Sequence, residues 1–299
     1  MNPIHRSTPV IICHILGGLG NQMFQFAAGR ALALDREAQL QLDTSGFKGY
    51  RLHEGFQLEQ AFAGSFHLAN ELDIQAVLGW QRTRWAQNIV ARPAMAPMRK
   101  DSLVIEPHFQ YWQGIHNTPA RCYLKGYWQS EKYFKKHVKT LRSDFGFRLP
   151  LSGRNAVLAT RIRQCNAVSV HVRRGDYVQN HVTAATHGLC PPDYYQAAAH
   201  HVASRVDNPV FFIFSDDMSW ARQHLPLPAP VEYVDHNQHA YDDMHLMSLC
   251  KHHVIANSSF SWWGAWLNAN LHKIVVAPRQ WFAVARNTQD LLPADWVAL

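Results

Sequence analysis

From Asn155 onward, short β-branched or aromatic runs alternate with segments of helical length, and this alternation leaves few folds open. Residues 168–172, 210–214, 231–234, 254–256 and 274–277 read as strands, and 193–206, 242–250 and 259–270 as helices. Such a series predicts a parallel, doubly wound sheet whose ligands sit past the carboxyl ends of the strands. The chain opens the same way. Residues 10–16 read as a strand closed by Gly17-Gly18, and 21–34 carry Phe24, Ala27, Ala28, Ala31 and Leu32 at helical spacing. Residues 39–42 read as the next strand. The stretch 44–121, with Trp80, Trp85, Trp112 and several prolines, has little periodicity and receives no assignment.

A chain of 299 residues accommodates two ordinary domains. With 47% hydrophobic and 17% charged residues it can bury a core, and a disordered chain is excluded. No window approaches the roughly 18 apolar residues of a membrane span. The apolar run 9–16 lacks the basic lead and cleavage site of a signal peptide, so a cytosolic location is expected. Five scattered cysteines without a CxxC pair are expected to be buried free thiols, neither disulfide-bonded nor zinc-bound. The net charge of +7 is concentrated: between Trp80 and Arg163 stand 16 Lys or Arg against 4 Asp or Glu. Nucleic acid, an anionic membrane face beside phosphorylated donors, or a solvated basic face all fit that excess. No aromatic strand of an RNA-binding module is visible, which argues against nucleic acid.

Four segments carry chemistry. In SVHVRRGDY (169–177) a strand ends on Arg173, Arg174, Gly175 and Asp176. Arginine presents a planar, permanently charged fork that grips phosphate through two donors. If the strand alternation persists, His171 and Arg173 share one side and Arg174 takes the other. Gly175 allows a sharp turn, and Asp176 is read as a structural partner of Arg174. In FFIFSDDMSW (211–220), one of Asp216 and Asp217 is expected to meet a ribose or base. Ser215 or Asp216 is expected to cap the helix beginning near Met218. In VIANSSFSWWGAWLN (254–268), Asn257, Ser258 and Ser259 stand where a strand turns into a helix, a natural phosphate cradle. Either serine also suits the cap, and Trp262, Trp263 and Trp266 are expected in the core. In GGLGNQMFQFA (17–27), Met23 replaces the third glycine of a dinucleotide fingerprint, and no P-loop lysine follows. Three glycines with Asn21 and Gln22 still offer amides to a pyrophosphate or to sugar hydroxyls.

Two arrangements are decoys. Asp235, His236, His239, Asp242, Asp243 and His245 crowd together without ligand spacing, so no metal site is read there. The adjacent pairs Asp216-Asp217 and Asp242-Asp243 are not the spaced D-x-D of metal-dependent sugar transferases. No G-x-S-x-G elbow of a hydrolase is present.

In this order and spacing, GGLGNQMFQFA, HVRRGDY, FSDD and NSSFSWWGAWLN resemble the bacterial alpha-1,2-fucosyltransferases of glycosyltransferase family 11. LKGYWQSEKYF (124–134) and KIVVAPRQWF (273–282) share the likeness, which therefore spans nearly the whole chain. The resemblance implies an α/β fold of GT-B type, two Rossmann-like domains with parallel sheets facing across a cleft. Residues 1–154 would form the acceptor side and 155–299 the donor domain, with the last residues packing back on the first. It implies GDP-beta-L-fucose as donor and inverting transfer to the 2-hydroxyl of a terminal beta-galactoside, in surface polysaccharide or O-antigen synthesis. No metal or other cofactor and no nucleic acid is implied. Carried over by position, Arg173 grips the beta-phosphate with Arg174 assisting, as the catalytic pair. His171 and one of Asp216 or Asp217 contact the guanosine, and Asn257, Ser258, Ser259 and Phe260 complete the donor site. Gly18, Asn21 and Gln22 line the cleft. A lipid-linked acceptor suits the basic, Trp-containing middle segment, with at most peripheral contact at the inner face of the cytoplasmic membrane.

Cleaving the glycosidic bond builds negative charge on the beta-phosphate, which fixed arginines and helix-end amides must stabilise if no metal does. The acceptor proton calls for a base, for which Asp43 and His187 are candidates; an arginine-driven course without a strong base is the alternative. The rival readings are GDP-fucose transfer to another acceptor or linkage, and a carbohydrate-binding protein without catalysis.

Overall fold

The computed structural model describes residues 9–49, 54–175 and 185–299. The chain divides into two units: Met1–Gly146 with Gln289–Leu291, and Phe147–Thr288 with Leu292–Leu299. The 154/155 boundary read from the sequence falls inside the helix Gly153–Gln164. That helix packs Leu158, Ala159 and Ile162 against Ala167, Phe212 and Phe214, and so belongs wholly to the second unit.

Unit 1 holds β1 (Val10–His14), β2 (Gln39–Asp43), β3 (Leu103–Ile105) and β4 (Arg121–Lys125), all parallel, in the order β2-β1-β4-β3. The helix Leu19–Asp35 connects β1 to β2 and buries Phe24, Ala27, Ala28, Ala31 and Leu32, the stripe legible in the sequence. β3 and β4 lie in, or at the end of, the stretch without periodicity. Their buried residues, such as Cys122, Tyr123 and Leu124, form runs too short for an alternation to show. Asp290 belongs to this unit: its carboxylate accepts from the Tyr111 amide (3.0 Å) and Lys132 Nζ (2.6 Å), and its carbonyl from Ser130 Oγ (2.6 Å).

Unit 2 holds β5 (Asn166–Val172), β6 (Pro209–Ser215), β7 (Val231–Val234), β8 (His252–Val254), β9 (Val275–Ala277) and β10 (Val297–Ala298). All are parallel, in the order β10-β9-β8-β5-β6-β7. The five strands read from sequence are present. β10 is the addition: the final residues join this sheet beside β9, while Gln289–Leu291 go to unit 1. Trp262 and Trp263 are fully buried in the helix Ser259–Leu267 and Trp266 nearly so, as core residues. All five cysteines are free, four of them buried. Among the described residues no helix is long and apolar enough to cross a membrane.

A polar thread holds the middle of this sheet. Ser169 on β5 stands opposite His253 on β8, and Ser169 Oγ lies 2.8 Å from His253 Nδ1. Asn268 Nδ2 donates to His253 Nε2 at 2.8 Å, so Nε2 accepts and Nδ1 carries the proton toward serine. The ring is neutral, and burial, reinforced by Lys273 and His252, drives its pKa well below the usual 6.5. A depressed histidine stays neutral when folded but protonates once unfolded. Its contribution is therefore full above pH 6.5 and declines as pH falls, by about 1.4 kcal/mol per pH unit per group. His171, which burial holds at about 4, adds a second such contribution. Chemical denaturation at successive pH values should show stability flat above about pH 6.5 and falling steadily from there toward pH 4; a flat profile across that window contradicts the assignment.

Candidate functional site

Strand register brings the charged residues of unit 2 together. Val172, the last residue of β5, pairs with Ser215, the last of β6, so Arg173 and Asp216 leave the sheet side by side. Arg173 Nη1 lies 2.9 Å from Asp216 Oδ2, and the Arg174 amide donates to Asp216 Oδ1 at 2.8 Å. Arg174 Nε reaches Asp217 Oδ2 at 3.3 Å, and its guanidinium carbon lies 3.9 Å from the centre of the Trp220 ring. Both arginines therefore lean toward β6, where alternation had put them on opposite sides; regular strand geometry stops at Val172. Asp176 lies outside the described residues.

These pairs are partly open, with side-chain exposures of 28% and 26% for Arg173 and Asp216. At such exposure an ion pair adds little stability. Its effect is geometric: each guanidinium is held in one orientation at the end of a strand. Gly175 serves spacing more than turning, because a Cβ there would stand 3.0 Å from Asp216 Oδ2. The helix cap falls to Asp217, which accepts from the Trp220 amide at 3.1 Å, where Ser215 or Asp216 had been expected. Ser215 Oγ instead accepts from the Asp217 amide.

The chain runs from β5 outward to β7 and then returns to β8 on the other flank, so the switch point lies between β5 and β8. His171 guards it. The ring is 5% exposed, packs 5.2 Å from Phe260, and its buried Nδ1 has no hydrogen-bond partner among the described residues. Burial lowers its pKa to about 4, with Asp216 opposing and Arg173 assisting, so the imidazole is neutral near pH 7. Across the switch, Ser258 Oγ accepts from the Phe260 amide (3.3 Å) and caps the helix Ser259–Leu267. Ser259 and Phe260 are half-buried in its first turn. Asn257 is a buried clamp, its Nδ2 donating to the carbonyls of His187 (2.9 Å), Gly188 (3.3 Å) and Trp281 (3.2 Å). His187 is thereby fixed beside this loop, its ring 5.4 Å from Phe282.

In unit 1 the amides are largely committed. Gln22 is fully buried, donating to the carbonyls of Gly17 and Gly55 (both 2.8 Å) and accepting from the Gln57 amide (2.9 Å). It ties the glycine loop down. Asn21 Oδ1 accepts from Gln129 Nε2 at 2.7 Å, and half-buried Gly18 precedes the helix. Asp43 is 5% exposed; its carboxylate accepts from Tyr123 OH at 2.6 Å and the Ser45 amide at 2.9 Å. It lies in a cavity of about 240 Å³ shared with His14, Arg82, Arg84, Tyr123 and Lys125. The crowded acids and histidines near Asp235 have other partners: Asp235 pairs with Arg222 at 2.6 Å, Asp243 with Asn237 at 2.7 Å, and His245 stacks on Phe147 at 4.0 Å.

Sequence reasoning missed Trp220 and the cavity cations. Trp220 was legible as the third residue after a capping aspartate. Arg82, Arg84 and Lys125 gave no signal, because the elements carrying them are short.

Two Rossmann-like units with parallel sheets, the second with paired arginines past the end of β5, make up a fold of GT-B type. The sequence matches glycosyl transferase family 11 over residues 98–299, and the chain belongs to that family. It is 36% identical to the alpha-1,2-colitosyltransferase of Escherichia coli over 97% of this chain and 99% of that one. It is 31% identical to an O-antigen biosynthesis glycosyltransferase of Escherichia coli, over 95% and 98%. The fold is similar to that of fucosyltransferase NodZ from Bradyrhizobium, with a TM-score of 0.53 at 15% identity over 86% of this chain and 92% of that one. A mutant of Arabidopsis thaliana FUT1 in complex with GDP gives 0.53 at 13% identity, over 97% of this chain and 74% of that one.

Because Asp217 both caps a helix and anchors Arg174, the two roles separate by substitution. Asp217→Ala should cost about 1 kcal/mol in chemical denaturation, and Asp217→Ser should regain most of it, since serine restores the cap but not the charge. Equal losses in both variants would assign the stability to the ion pair instead.

Proposed function

We propose that this glycosyltransferase moves L-fucose from GDP-beta-L-fucose, with inversion and without a metal, to the 2-hydroxyl of a terminal beta-galactoside in surface polysaccharide or O-antigen synthesis. The observation that carries the reading is the arginine pair held by Asp216 and Asp217 at the carboxyl end of β5. The nucleotide-sugar bond breaks toward the diphosphate, and charge grows on the beta-phosphate oxygens. Guanidinium groups already oriented by carboxylates need no reorganisation to meet it. The amides at the start of the helix Ser259–Leu267 add positive potential. Neutral His171, with its unpartnered Nδ1, offers a hydrogen bond to the guanosine. Asp43 already accepts two hydrogen bonds, which favours the arginine-driven course over a strong base there. A colitosyl donor is the second reading, favoured by the 36% identity to the colitosyltransferase. Exposed Trp80 and Trp85 beside Arg82 and Arg84 support peripheral contact with an anionic lipid surface carrying the acceptor.

Steady-state kinetics test the assignment. Arg173→Lys keeps the charge and loses the paired planar donors, so kcat should fall by about 10²–10³ while GDP-fucose binding weakens less. Arg174→Lys should cost less, since that guanidinium is occupied by Asp217 and Trp220. A folded Arg173→Lys enzyme with near-normal kcat would overturn the role of this residue. Activity should also survive excess EDTA; loss on chelation with recovery on added manganese would refute the metal-free mechanism. Transfer measured with fucosyl and colitosyl donors side by side decides between the two sugars.

A further inference from the structure

Unit 1 has a switch point of its own. The chain leaves β1 for β2 on one flank and returns through β3 to β4 on the other, so the crevice lies between β1 and β4. The cavity of about 240 Å³ opens there, past the ends of β1 (His14), β2 (Asp43) and β4 (Tyr123, Lys125). Its volume falls below the roughly 300–1,000 Å³ of a drug-sized ligand pocket and suits a single sugar residue. Three cations reach it: Arg82, Arg84 and Lys125. Their hydrogen bonds go to neutral groups, Arg82 to Gln75 Oε1 (2.5 Å), Arg84 to the Ser45 carbonyl (3.3 Å) and Lys125 to Gln87 Oε1 (2.9 Å). Among the described residues none of the three has a salt bridge. Asp43 is the one carboxylate in the cavity wall, and it is engaged by Tyr123 and Ser45. His14, which burial holds at about 4 against the pull of Asp43, adds no charge near pH 7.

A small cavity with two positive charges in excess, set where a parallel sheet binds ligands, is built for an anion. We propose that this cavity is an acceptor subsite for an acidic sugar, one bearing a carboxylate or a phosphate, adjoining the residue that receives the transferred sugar. Arg84 and Lys125 face the acidic group, while Asp43 and Tyr123 meet ring hydroxyls. The proposal rests on the reading of the protein as a sugar transferase and adds the charge of its acceptor.

Binding tests it without turnover. Methyl galactoside, the methyl glycoside of galacturonic acid with its carboxylate free, and galactose 1-phosphate are titrated into the full-length protein by NMR, with GDP titrated in parallel. At least one acidic probe should bind tenfold or more tighter than the neutral one, and 0.5 M NaCl should erase most of that preference. Arg84→Gln and Lys125→Gln should each weaken the acidic probe by about tenfold and leave the neutral probe and GDP unchanged. Whichever acidic probe binds tighter identifies the group as carboxylate or phosphate. Equal affinity for charged and neutral probes, or acidic binding indifferent to both variants and to salt, overturns the proposal. Failure of GDP to bind would strike the donor reading and leave the subsite test standing.

Discussion

The pairing of β5 with β6 is the constraint on which the site depends. Opposing Val172 to Ser215 makes both strands end at one level, so that two arginines and two aspartates emerge within hydrogen-bond reach. A slip of one residue would exchange the two faces of β6, forcing Phe212 and Phe214 into the places shaped around Phe211 and Ile213 in the opposite core cluster. The fully buried residues of both strands thus fix the site's charges by fixing register. The ion pairs contribute direction, and the apolar burial behind them contributes the energy.

Much of unit 2 was legible because its strands are long or strongly apolar and its helices carry clear stripes. Arg173, Arg174 and Asp216 were found for the same reason, since functional residues of parallel sheets follow the strands directly. The partners were harder. Asp217 rather than Ser215 or Asp216 caps the helix, a choice set by where the strand's extended backbone stops. Gln22 reads like a ligand-binding amide in its glycine-rich motif, yet the fold uses both of its donors and one acceptor position. Unit 1 beyond β2 was illegible because it is built from helices of at most eight residues and strands of three to five, too short for a period to repeat clearly. Its basic character was plain from composition, but its convergence at one strand end was not.

The two switch points are chemically unlike. Past β5 in unit 2, Arg173 and Arg174 are each matched by a carboxylate, so both are oriented before any ligand arrives. In unit 1 the cations at the cavity lean on neutral amides and a carbonyl. The first arrangement favours precise placement of a leaving group, and the second leaves net charge for a partner to neutralise.

The return of Gln289–Leu291 to unit 1 has a consequence for anyone recombining such enzymes. Cutting between Gly146 and Phe147 does not separate two self-sufficient halves. An amino-terminal fragment would lack Asp290, leaving the Tyr111 amide, Ser130 hydroxyl and Lys132 ammonium without the acceptors that hold them. A chimera that exchanges one unit for that of a relative must therefore carry this tripeptide with the half it serves, although it stands far along the chain.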